Sequence, residues 1–82
     1  MNEERARLKS HQAGLKYRRM ELVTELDAAV RSVKAVLADW AIREKAGVDL
    51  PGAYVHLGRA VELHRELHSL DADLRRVEEE LE

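Results

Sequence analysis

Cysteine and phenylalanine are absent from this chain, and proline occurs once among its 82 residues. Without cysteine there is neither a disulfide nor a thiolate metal site, and the redox character of a compartment leaves no trace in the sequence. Aromatic residues are scarce, at 4%. Tyr17 alone stands among the basic residues at the N-terminus, which argues against a base-stacking nucleic-acid platform. The four glycines form no phosphate-cradling loop. No run of about 18 apolar residues exists, so no membrane-spanning helix is expected. The first seven residues, Met1 to Arg7, are charged and lack the apolar stretch of a secretory signal, which sets a cytoplasmic location as the expectation.

What remains is helical material. Charged residues make up 37% and hydrophobic residues 45% of the chain, a balance that suits a coiled-coil-like all-α protein. The apolar positions Leu8, Leu15, Leu22, Leu26, Ala29, Val33, Val36 and Trp40 step by three, four and seven, predicting one long helix over about 3–46. Gly47 fits a left-handed helix end and Pro51 the first turn of a second helix, leaving a turn at 47–50. From there Ala60, Leu63, Leu67, Leu70, Leu74, Val77 and Leu81 keep an unbroken heptad stripe, predicting a helix over about 51–81. So short a turn forces antiparallel neighbours, and the fold class is an antiparallel two-helix hairpin. Its apolar pairs mirror each other around the break: Trp40 with Ala60, Leu37 with Leu63, Val33 with Leu67, Val30 with Leu70 and Leu26 with Leu74. In that register Glu82 lies beside Arg18, and residues 1–15 form an unpaired basic overhang.

Two features predict a partner. Leu8 and Leu15 stand on the overhang, where a lone stripe cannot hold an isolated helix in water. Val23, Val30 and Leu37, seven apart, widen the apolar face beyond what one facing helix covers. Tyr54, Leu57 and Val61 add apolar surface near the turn. Small cores commonly gain stability by association, so the expected assembly is a homodimer forming a four-helix bundle, or a complex with another protein. These eight residues are the expected association surface, each acting by burying apolar area.

The net charge is −2, unevenly spread. Residues 1–19 carry six basic against two acidic side chains, whereas residues 62–82 carry three basic against eight acidic. Arg5, Arg7 and Lys9 are the residues a nucleic-acid-binding arm would use, with strong salt dependence. His64 and His68, one helical turn apart, are the candidate metal pair for Zn²⁺ or Ni²⁺. Arg65 occupies the place where a metalloprotease helix would carry its glutamate base. No serine or threonine lies in a spacing that assembles a nucleophile with a histidine and an acid, and neither an enzyme nor a cofactor is expected. A helical adaptor or chaperone-like interaction protein is the reading these residues favour.

The stretch Gly47-Val48-Asp49-Leu50-Pro51-Gly52-Ala53-Tyr54-Val55-His56-Leu57, followed by Ala60 and Leu63, resembles the turn and second helix of small type III secretion needle co-chaperones. The resemblance implies a short helical hairpin that docks on a tetratricopeptide-like chaperone. It covers about 20 residues, and the basic N-terminal segment departs from that pattern.

Overall fold

The computed structural model describes residues 2–82 and consists of two long helices joined by a short folded-back segment. Helix α1 runs Asn2–Ile42 and helix α2 runs Leu50–Leu81, with a single 3-10 turn at Lys45–Gly47 between them. The pair packs side by side into a rod of 65 × 15 × 14 Å, and there is no strand among the described residues. No helix among them is long and apolar enough to cross a membrane.

Local chemistry sets the helix ends. Glu3 and Glu4 place negative charge in the first turn of α1, where the macrodipole favours it. At the other end the chain leaves the helix after Ile42, four residues before the expected Ala46. The reason lies in the connecting segment, which turns back so that Val48 is buried. Lys45 covers the exposed end of α1, its Nζ donating to the Trp40 carbonyl and lying 4.8 Å from the centre of the Trp40 ring. Gly47 is not a left-handed cap, since no described glycine has positive φ; it closes the 3-10 turn, its N–H bonded to the Glu44 carbonyl at 2.9 Å. Asp49 caps α2, its Oδ1 accepting from the Gly52 N–H at 3.0 Å, and Pro51 occupies the first turn. Gly14, within the segment expected as an overhang, lies inside the regular helix of α1.

The core is a single seam. Leu22 and Leu63 are fully buried, joined by Ala29, Ala60 and Leu70, with Leu15, Leu26 and Leu67 packed against them. Val77 extends burial towards the free end, and Ala53 and Val48 towards the connection. Leucines dominate the half remote from the connection and alanines the half beside it, so the second half buries less apolar area per layer. No polar or charged side chain is buried among the described residues. The seam therefore contains no polar group of the kind that fixes register in helical bundles.

The register differs from the mirrored pairing. Arg18 bonds Glu66, Glu25 bonds Arg59, and Arg5 reaches the Leu81 carbonyl. Leu26 shares a groove with Ala60 rather than facing Leu74. The helices are thus displaced by about fourteen residues, or two heptads, from the expected alignment. A heptad stripe superimposes on itself after any whole number of heptads, so both registers set apolar rows against each other. What separates them is the connection, whose folded-back path starts α2 well short of the end of α1.

This shift abolishes the overhang at residues 1–15. Leu8 and Leu15 are half-buried against α2, and Leu8 shares a groove with Arg5, Glu80 and Leu81. The part of α1 extending beyond its neighbour is instead its C-terminal end, where Leu37 and Trp40 remain largely exposed.

Candidate interaction surface

The hairpin has two unlike flanks. Successive helical residues are rotated by about 100°, so Arg59 and Val61 lie on opposite sides of the buried Ala60. On the Arg59 side the two helices are joined by ions: Arg59 to Glu25 at 3.4 Å and Arg18 to Glu66 at 2.9 Å. The Glu66 hydrogen bond, ahead of its charge, raises the Arg18 guanidinium above its ordinary pKa. On the Val61 side the surface is apolar.

That apolar flank gathers side chains from both helices. Val23, Val30 and Leu37 repeat every seven residues along α1, and Tyr54, Leu57 and Val61 recur at three and four along α2. Val30 and Val61 line one open groove together with Leu26, Asp27, Ala60, His64 and Arg65. A second groove, lined by Tyr54, Val55, Leu57, Gly58, Val61, Glu62 and Arg65, continues it towards the connection. Tyr54 is 79% exposed, Leu37 53% and Leu57 51%, values far from those of a finished core. Val23 is half-buried. Beyond Val23 the flank closes with an ion pair, Arg19 to Asp71 at 2.8 Å, and that hydrogen bond raises the Arg19 pKa.

The structure therefore divides the expected association residues. Val23, Val30, Leu37, Tyr54, Leu57 and Val61 share the apolar flank, whereas Leu8 and Leu15 belong to the intramolecular seam. The basic residues are similarly split. Arg5 donates to the Leu81 carbonyl at 3.1 Å, occupying one of the acceptors that a helix C-terminus leaves open. Arg7 and Lys9 are exposed. The segment they belong to lies against the acidic end of α2 rather than projecting as an arm.

His64 and His68 do come together, their ring centroids 4.7 Å apart and the planes at 80°. Among the described residues there is no group of three or more His, Cys, Asp or Glu side chains that could hold a metal ion. A metal bound there would draw two ligands from one chain. The hydroxyls of Thr24 and Ser32 donate to the carbonyls one turn back, Met20 and Ala28.

Asp27 and Arg65 were not expected on this flank. Both flank the groove of Val30 and Val61. Arg65 is one helical turn from Val61 and Asp27 sits three residues before Val30, but only the packing of the two helices brings both charges to one groove. Chemically the arrangement offers an apolar strip edged by charges of both signs, Asp27 and Glu62 with Arg65, suited to covering by another helical surface. Comparison with protein families, with characterised proteins and with solved structures finds no match to this chain.

Proposed function

We propose that this protein is a non-enzymatic helical interaction module that self-associates through its apolar flank, two hairpins forming a four-helix bundle. The observation that carries this reading is the joint exposure of Val30, Leu37, Tyr54, Leu57 and Val61 on one side of the hairpin. A hairpin buries one stripe per helix, and a second stripe on both helices is the pattern of a bundle awaiting its other half. The alanine-lined half of the seam adds to the need for association, because the apolar area near the connection lies mainly outside it.

Sedimentation velocity of the unmodified chain across the micromolar range tests this reading. A dimer is the expected species. Val30→Asp with Leu37→Asp should give monomers whose far-ultraviolet helical signal is largely retained. A monomer throughout for the unmodified chain would overturn self-association and leave the flank for a different helical protein, as the needle co-chaperone resemblance implies.

A further inference from the structure

The residues of the connecting segment and its conformation disagree. Arg43, Glu44, Lys45 and Ala46 are good helix formers, yet α1 stops at Ile42 and leaves them outside. The Trp40 carbonyl, which the Glu44 N–H would bond if α1 continued, accepts from Lys45 Nζ instead. Pro51 and Gly52, a dipeptide typical of turns, lie inside the first turn of α2.

The seam shows a matching disagreement. In the register marked by Arg18 with Glu66 and Glu25 with Arg59, three residues of α2, Leu63, Leu67 and Leu74, lie level with Leu22, Arg19 and Gln12. Two heptads further along α1 the same three lie level with Val36, Val33 and Leu26, and no polar side chain enters the row. In that alignment α1 runs on to about Ala46, and the turn falls on residues 47–53, which include Gly47, Pro51 and Gly52. The ion pairs that mark the observed register are exposed and hold it weakly. The folded-back path is held by apolar burial, with Val48 at 7% exposure.

We infer that Val48 is a latch on the register, and that its release lets α2 slide two heptads along α1 towards the connection. Residues 43–46 join α1 as α2 gives up its first turn. The slide is a property of one hairpin and does not depend on self-association. It exchanges the exposed surface. Leu8 and Leu15 lose their cover, while Trp40 gains it from Ala60. Val61 moves level with Asp39, which takes apart the groove it shares with Val30. The hairpin thus presents either the Val30–Val61 groove or the leucines of its free end, but not both at once.

Spin labels at Thr24 and Glu62, both exposed and level with each other in the observed register, read the slide. With labelled chains diluted in unlabelled ones, the unmodified protein should give one short distance. Val48→Asp puts a charge in a buried place and should make a longer distance dominant. The labels are then offset along the rod by roughly 21 Å, the rise of about fourteen residues. Val48→Thr, of nearly the same shape, should populate the longer distance to a smaller extent, and it carries the test if Val48→Asp unfolds. Helical circular dichroism should change little, because α1 gains about as many residues as α2 loses. Emission from Trp40, the single tryptophan, should move to shorter wavelength.

Glu44→Pro distinguishes a slide from a loosened hairpin. Glu44 has φ −59° and ψ 130°, a backbone conformation that proline adopts, whereas a proline there breaks any α1 that runs on to Ala46. Added to Val48→Asp or Val48→Thr, it should remove the longer distance. Folded Val48 variants that keep only the short distance would overturn the latch. A longer distance that survives Glu44→Pro would overturn the slide.

Discussion

Arg18 donates to Glu66 at 2.9 Å and stands far from Glu82, and this one contact marks the alignment of the whole hairpin. The Arg18 and Glu66 side chains are both about half-exposed, so the pair does little for stability. Its value is as a marker: with Glu25 to Arg59 and Arg5 to Leu81 it excludes the alternative alignment two heptads away.

The register can be checked in solution because the chain has no cysteine of its own. Cysteines introduced at Arg18 and Glu66 and spin-labelled should give a short distance. The same label at Arg18 paired with one at Glu82 should give a clearly longer distance, because Glu82 lies about 24 Å of helical rise beyond Glu66. The reverse order of the two distances would refute the alignment.

Core and flank positions should separate in denaturation experiments. Leu22 is 0% exposed and Leu63 2%, so truncation of either to alanine should destabilise the hairpin by about 2–5 kcal/mol. Leu37, at 53% exposed, should change the stability of a dilute sample by about 0.5 kcal/mol or less when truncated. At high concentration the Leu37→Ala effect should grow, because there it weakens the assembly too.

Glycine substitutions should act with opposite signs at two sites. A Cβ at Gly14 meets nothing within 4 Å, so Gly14→Ala should stabilise α1 by about 1 kcal/mol. A Cβ at Gly52 collides with the carboxylate of Asp49, the group that caps α2. Gly52→Ala should therefore destabilise, by about 1 kcal/mol for the lost cap, and Asp49→Ala should cost a similar amount. Thermal melts followed by circular dichroism read all three.

Zinc should have little hold on a single hairpin. His64 and His68 supply two imidazoles, short of the four ligands a structural zinc site needs. Titration of the protein with Zn²⁺ should show no tight uptake, and addition of a chelator should leave the sedimentation profile unchanged. Stoichiometric uptake abolished by His68→Ala would instead place a metal at this pair.

Much of the architecture was legible in the residues themselves. The three-and-four spacing of Leu8, Leu15, Leu22 and Leu26, the glycine and proline around 47–51, and the heptads of α2 specify two helices turning back on each other. The widened stripe of Val23, Val30 and Leu37 was equally readable, since it follows from periodicity within one helix. Asp27 and Arg65 were not, because a charge gains meaning there only once two helices place it beside the same groove.

Sequence alone determined that two amphipathic helices would form and which faces would be apolar, because those properties repeat locally along each helix. Only the tertiary structure decided how far one helix slides along the other. A heptad stripe looks the same after every seventh residue, and a seam with no buried polar group does not object to the shift. The folded-back connection that buries Val48, together with the ionic contacts on one flank, breaks that degeneracy. It moves the uncovered surface from the basic N-terminus to the apolar flank beside the connection.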